Sequence, residues 1–291
     1  MQNLSGKVSV VTGAGSGIGR ALALELARSG SRLALLDVDE QGLAGTAAAL
    51  GAAEVLTRRC DMSDAAQVEV AAAAVVDRFA QVDLVVNNAG IAHSGRPFWE
   101  LPPEDFGRVM DVNFWGVVHG TRAFLPHLMA RPEAVLVNVS SLFGLIGVTR
   151  QSAYCSSKFA VRGFTESLRM ELRESAPHVR AVTVHPGGVK TAIARNSLVA
   201  GQPADVHREE VQAFEQIART TSDSAAAQIV AGIRSGRSRV LVGTDAKLLD
   251  LLARSLPQRY TGLLLRQLQK AQGITPPQSG RAALDGAEHT G

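Results

Sequence analysis

Seven short apolar runs recur along the chain, at about 7–12, 32–37, 54–60, 82–87, 134–140, 179–185 and 238–242. Within each, apolar residues follow one another without a regular polar alternation, the pattern of strands buried on both faces. Longer stretches lie between them, at about 18–29, 40–50, 64–80, 103–130, 152–175 and 205–234. Their apolar residues return three and four positions apart, as on one side of a helix, and the last stretch is expected to break near Thr220–Ser222. Strand and helix in alternation imply an α/β fold with a parallel sheet and helices on both faces, because each crossover returns over the sheet in the same hand. Gly30 fits the position that ends the first helix, and Ser63-Asp64 with Gln67 beyond fits a helix start. With no internal repeat and no linker, residues 1–243 read as one domain, 244–272 as a leucine-rich helical extension, and 273–291, rich in Gly, Pro and Ala, as a disordered tail.

Composition narrows the functions open to such a fold. The 291 residues are 46% hydrophobic but only 4% aromatic, a mixture suited to helices packed on a sheet. The net charge is +3 with no block of like charge, which leaves no footprint for nucleic acid. Two cysteines, Cys60 and Cys155, form no C-x-x-C pair and read as free thiols in a reducing compartment. The seven histidines show no H-x-x-x-H pairing, so no metal site is expected. Met1 leads through polar Gln2 and Asn3 almost directly into the first strand, and no apolar run approaches the ~20 residues of a membrane span. The expectation is a soluble, cytoplasmic protein.

Candidate chemistry collects at the carboxyl ends of the predicted strands, where open parallel sheets bind ligands. After the first strand comes TGAGSGIG at 12–19, a glycine turn that runs into a helix start. Such a turn seats a diphosphate on backbone N–H groups and the helix dipole; its spacing is G-x-x-x-G-x-G, at Gly13, Gly17 and Gly19. The fold expected is therefore a Rossmann-type doubly wound parallel sheet of about seven strands. Asp37 ends the second strand, where a carboxylate can accept from both hydroxyls of an adenosine ribose and repel a 2′-phosphate. Neither Ser16 nor Val38 supplies a cation for that phosphate, so NAD is favoured over NADP. Cys60-Asp61-Met62, Asn87-Asn88-Ala89-Gly90, Ser140-Ser141 and Pro186-Gly187-Gly188-Val189 close four further strands. Tyr154 and Lys158 stand four apart on a predicted helix and share its face. An ammonium beside a phenol favours the phenolate, lowers its ordinary value near ~10, and makes it a usable general acid–base. A hydroxyl at Ser141 can hydrogen-bond a substrate oxygen as negative charge develops there.

These pieces, in this order, resemble the short-chain dehydrogenase/reductase family over about residues 4–243. The matching segments are TGAGSGIG, Asp37, Asp61, NNAG at 87–90, Asn113 within DVNFWGV, VNVSS at 137–141, YCSSK at 154–158 and HPGGVKT at 185–191. The resemblance implies an NAD-dependent oxidoreductase that interconverts a secondary alcohol and a ketone by hydride transfer. It implies Tyr154 as acid–base, Lys158 lowering its pKa and binding the nicotinamide ribose, Ser141 polarising the substrate oxygen, and Asn113 bending its helix and holding a water in a relay with Lys158. It further implies Gly13, Ser16, Gly17, Ile18 and Gly19 around the diphosphate and Asp37 at the adenosine ribose. Asp61 and Met62 would lie along the adenine, and Asn88, with Ala89 and Gly90, by the ribose. Val189 and Thr191, after Pro186, would reach the carboxamide. A non-catalytic dinucleotide sensor or scaffold on the same fold is the alternative.

Two stretches depart from the family's pattern or carry its variable part. Many members end on a glycine pair that packs into a tetramer, whereas Arg239–Gly243 here leads into Thr244 and a run of leucines interspersed with Arg254, Arg259, Arg266 and Lys270. That extension has three readings: packing on its own domain or a sister subunit, a lid over an apolar pocket, or a peripheral membrane contact. A homodimer or homotetramer is expected. The segment after Thr191 should cover the substrate; Ile193, Leu198 and Val199 there, with Phe143, Leu145 and Ile146 past Ser141, point to a lipophilic alcohol or ketone, steroid-like or medium-to-long chain. Arg195, His207 and Arg208 are candidates for an anion but read better as solvated charges.

Overall fold

The structure, a computed structural model, describes residues 1–93, 95–198 and 204–271. All seven anticipated strands form one parallel sheet: β1 (Val8–Thr12), β2 (Arg32–Asp37), β3 (Val55–Arg59), β4 (Leu84–Asn87), β5 (Ala134–Val139), β6 (Val179–Pro186) and, last in the sheet, β9 (Arg239–Val242). Their order is β3-β2-β1-β4-β5-β6-β9. The chain winds outward from β1 in one direction, then crosses to β4 and winds in the other. Connections therefore part above β1 and β4 and leave a crevice at the carboxyl ends of those two strands.

The crossovers are α1 (Gly17–Arg28), α2 (Glu40–Ala49), α3 (Ala65–Phe79), α4 (Pro103–Met110), α5 (Gly116–Met129), α6 (Ser152–Ser175), α7 (Ala204–Ile217) and α8 (Ser222–Arg234). Successive strand residues point to opposite faces, so Val11, Leu33 and Leu35 pack with Leu22, Leu26, Ile229 and Ile233 of α1 and α8. Val10, Leu36, Val85 and Leu136 face the other way, onto Val68, Val75, Phe124, Leu128 and Leu168 of α3, α5 and α6. β3 departs furthest from the apolar rule. It is an edge strand, and exposed Arg58 and Arg59 keep that edge from pairing with another chain.

Two anticipated helices are interrupted. The stretch 103–130 is helical throughout, but α4 and α5 are joined by a π-turn, Asp111–Trp115. The stretch 205–234 divides into α7 and α8 around β8 (Thr220–Thr221), which pairs with β7 (Val189–Lys190) in a second, two-stranded sheet. Runs of two residues are too short to leave a periodic signal. Gly30, at φ +80°, does follow the cap of α1, and Asp64 caps α3 by accepting from the N–H groups of Ala66 and Gln67.

Beyond β9 the leucine-rich extension is helical, as α9 (Thr244–Ser255) and α10 (Tyr260–Ala271). Its inner face buries Ala253 with Leu142, Leu145 and Ile146, so the described part packs on its own domain. The outer face leaves Leu248 and Leu251 exposed. The tail 273–291, expected to be disordered, lies outside the described residues. No helix among the described residues is long and apolar enough to cross a membrane.

Two amides inside the sheet pair with each other. Asn87 and Asn138 are register partners on β4 and β5; Asn87 Nδ2 donates to Asn138 Oδ1 at 2.9 Å and to Thr121 Oγ1 at 3.2 Å. Asn138 Nδ2 donates in turn to Thr165 Oγ1 of α6 at 3.0 Å. The chain of amides ties β4, β5, α5 and α6 at a fixed height just below the crevice. Asn138→Ala would leave the Asn87 amide short of a buried acceptor, and a loss of about 1–3 kcal/mol is expected in urea unfolding.

Candidate active site

The glycine turn is built against the end of β4. Thr12 Oγ1 accepts from the N–H groups of Asn88 and Ala89 at 2.9 and 3.0 Å, and Asn88 Nδ2 donates to the Thr12 carbonyl at 2.9 Å. Backbone thus meets backbone. A Cβ on Gly13 would stand 2.8 Å from Ala89 Cα, and one on Gly19 would overlap the carbonyl oxygen of Gly13. Gly13 and Gly17 also take φ of +65° and +52°, which side chains resist. Ser16 caps α1 without a side-chain bond, and the first N–H groups of the helix, from Gly17 through Gly19, lack intrahelical acceptors as in any first turn. They form a cradle of donors at the positive end of a helix dipole.

Asp37 is held at the rim of that cradle. Its Oδ2 accepts from Gly15 N–H at 2.7 Å and its Oδ1 from Asp39 N–H at 2.9 Å. Arg20, which the sequence did not single out, braces the turn from beneath. Its Nη2 donates to the Gly15 carbonyl at 2.6 Å and its Nε to Thr46 Oγ1 at 2.9 Å. A cation directly after the glycines was visible in the sequence, but its partner Thr46 on α2 was not.

On the far side of the crevice the four expected catalytic side chains converge. Ser140 Oγ donates to the Lys158 carbonyl at 2.7 Å and fixes the start of α6 against β5. Lys158 Nζ donates to the Val139 carbonyl at 3.1 Å and lies 5.6 Å from the centre of the Tyr154 ring. Asn113 occupies the π-turn, where its side chain closes a two-way bond with Ile91: Nδ2 donates to the Ile91 carbonyl at 2.9 Å and Oδ1 accepts from its N–H at 2.8 Å. The same Nδ2 reaches Ser157 Oγ at 3.1 Å, next to Lys158. Gly90 fits between them, since a Cβ there would be 3.1 Å from Asn113 Oδ1 and 3.3 Å from Lys158 Nζ. Ser141 Oγ accepts from Phe143 N–H at 3.1 Å, and the Phe143 ring meets Tyr154 edge-on with centroids 6.1 Å apart.

The electrostatics of this group differ from the simple expectation for a Tyr–Lys pair. Burial pushes the Tyr154 phenol up to about 12, with the Ser141 hydroxyl pulling the other way. Burial also pushes Lys158 down to about 8. Desolvation by burial is the largest influence on both groups. Tyr154 is therefore held in its neutral form at neutral pH.

His185 was also missed as a site residue. It lies fully buried in β6 and its Nδ1–H donates to the Ser141 carbonyl at 3.1 Å. The signal was present: a histidine inside the apolar run VRAVTVHP needs a buried partner.

The remaining expected residues are placed as follows. Asp61 accepts from Ser63 N–H and Oγ and from Arg108 Nη2, at 2.9, 2.6 and 3.1 Å. Burial raises its pKa, but those bonds outweigh it and hold the carboxyl below its usual value. Met62 is buried under α5, where Gly116 and Gly120 leave room for it. Ile18 is partly buried against the α1–α8 core. Pro186 ends β6 opposite Val242, Val189 is buried in β7, and the Thr191 side chain lies 3.2 Å from where a Gly17 Cβ would stand. Arg195 is paired with Glu215 at 2.5 Å, in keeping with a solvated charge; Val199 lies outside the described residues.

A family model described as short chain dehydrogenase matches residues 7–200. The chain belongs to the short-chain dehydrogenase/reductase family. SadH of Mycobacterium tuberculosis, an oxidoreductase by name, is 48% identical over 278 residues, which span 93% of this chain and 98% of that one. Levodione reductase of Leifsonia aquatica is 34% identical over 215 residues, 72% of this chain and 79% of that one. A short-chain dehydrogenase/reductase from Burkholderia phymatum, solved in complex with NAD, superimposes with a TM-score of 0.77 at 31% identity, covering 96% of this chain and 99% of that one. This short-chain dehydrogenase/reductase is thus an oxidoreductase of a nicotinamide dinucleotide, and its glycine cradle, bare N–H groups and rim carboxylate suit such a guest.

Two outcomes are expected of these contacts. Gly19→Ala drives a methyl into the Gly13 carbonyl and distorts the turn, and NADH affinity read by fluorescence should fall at least ~10-fold. His185 titrates near 6.5 in the unfolded chain, whereas burial holds it down to about 4 in the folded one. Between those values the unfolded state binds the extra proton, so stability drops as pH falls. The drop should be about 3 kcal/mol, and pH-dependent unfolding of His185→Gln should lack it.

Proposed function

We propose that this protein interconverts a secondary alcohol and a ketone with NAD(H) in preference to NADP(H), and that its substrate is lipophilic. The observation that carries the reading is the convergence of Tyr154, Lys158, Ser141 and Asn113 on one side of a crevice whose other side is the glycine cradle. A bound nicotinamide dinucleotide supplies the hydride chemistry. The chain's own groups handle the oxygen and its proton.

In the reducing direction, Ser141 Oγ orients the carbonyl oxygen and stabilises the charge that develops on it. Tyr154, kept protonated by burial, donates its phenolic proton to that oxygen. Lys158 compensates the phenolate as it forms and, through Asn113 and Ser157, stays fixed to the π-turn. Oxidation runs the same transfer backwards, with the phenolate as base. The preference for NAD is supported by the Asp37 carboxylate at the cradle rim and by the NAD-bound neighbour. An apolar substrate is supported by Leu142, Phe143, Leu145 and Ile146 past Ser141, and reduction of a ketone is supported by the relative that is a levodione reductase.

Tyr154→Phe is expected to lower kcat by ~10²–10⁴ while NADH still binds; near-normal turnover would sink the assignment. Asp37→Asn keeps an acceptor for Gly15 N–H but loses the charge that repels a 2′-phosphate. The ratio of kcat/KM for NADH over NADPH should then fall about tenfold, in assays run on a panel of apolar ketones with small polar sugars as the contrast.

A further inference from the structure

The C-terminal helix pair touches the site side of the fold at two backbone points. Tyr260, at the start of α10, accepts through its hydroxyl from Gly147 N–H at 3.2 Å. Asp245, in the first turn of α9, accepts through Oδ2 from Gly188 N–H at 2.6 Å. Gly147 belongs to the segment that leaves Ser141, and Gly188 to the one that leaves β6 for Val189 and Thr191. Both segments are therefore tied at one end to catalytic or cofactor-side residues and at the other to the extension.

Packing joins the same partners. Leu142, Leu145 and Ile146 bury with Ala253, and Phe143, Val148, Leu249, Tyr260 and Leu264 complete that cluster. Phe143 in turn holds its ring edge against Tyr154. The extension has its own footing, since Asp250 of α9 is paired with Arg239 of β9. It can hold the two segments without being carried by them. The Gly147 tie is also economical: one phenol oxygen, on a residue whose ring is already half-buried, meets an exposed backbone N–H that no strand or helix satisfies.

We propose that α9 and α10 shape the substrate side of the site, with Tyr260 and Asp245 as positioning residues that hold the walls on either side of Tyr154. The substrate part rests on the oxidoreductase reading above. Tyr260 acts through Gly147 and Phe143, and Asp245 through Gly188, on the position of the wall; neither meets the reacting atoms.

Amide hydrogen exchange of the full chain, with and without NADH, tests the ties directly. Tyr260→Phe, which deletes only the hydroxyl, should speed exchange across 142–148 about fivefold or more and leave 13–19 unchanged. Asp245→Ala should do the same around Gly188. In steady-state assays Tyr260→Phe should raise KM for an apolar ketone about three- to tenfold with kcat within about twofold, and leave NADH affinity alone. Unchanged exchange in 142–148 overturns the proposal, as does faster exchange with KM unmoved for every ketone the wild type reduces. A fall in melting temperature with exchange raised throughout the sheet overturns it too, because that is the signature of packing alone. If the wild type reduces no ketone, the oxidoreductase substrate reading fails, while the exchange result still decides whether the extension holds the wall.

Discussion

Everything at the site depends on how closely the turn after β1 approaches the end of β4. The two segments touch main chain to main chain, stitched by the Thr12 hydroxyl and the Asn88 amide. A side chain at Gly13 would pry them apart, and one at Gly19 would strike the Gly13 carbonyl and the Asn88 amide. The approach sits where the sheet order reverses, so the cradle of helix N–H groups and the Tyr154–Lys158 group face the same crevice. Asp37, Arg20 and Thr46 then hold the turn from the β2–α2 side, and Asn87 and Asn138 fix the level of β4 and β5 beneath it.

The second organising constraint is desolvation. Tyr154 and Lys158 are both buried deeply enough that each favours its neutral form, the phenol pushed up to about 12 and the amine down to about 8. A phenol in that state holds its proton tightly until a neighbouring group stabilises the phenolate. Charge on either partner is tolerated only where another group answers it, which is why the Val139 carbonyl, Ser141 and the Asn113–Ser157 link are packed so tightly around the pair.

Most of the architecture was legible in the sequence because the governing signals are local. Apolar runs without alternation marked seven strands, and glycines with positive φ marked the turn at Gly13 and Gly17. The Tyr154–Lys158 spacing placed both residues on one face. What escaped notice was tertiary. The partners of Arg20 and Asp61 lie on other elements, Thr46 on α2 and Arg108 on α4, and no spacing rule links them. The expected depression of the phenol pKa failed for a related reason: spacing reports that two groups are neighbours, not how far water has been stripped from them. The extension showed its amphipathic pattern in sequence, but only the structure shows that its inner face lies on the segment past Ser141.

The π-turn at Asp111–Trp115 has a consequence for how the helix it interrupts could ever change. A π-turn holds one residue more than an α-turn of the same rise, and each residue advances an α-helix by about 100°. The turn therefore takes up the extra residue within itself and leaves α4 and α5 in phase. Deleting one residue there would restore a regular α-helix with Ala123, Phe124 and Leu128 still facing the sheet, and would remove the bulge that turns Asn113 toward Ile91. The presentation of Asn113 and the seating of α5 are thus separate degrees of freedom, and the first can change without the second.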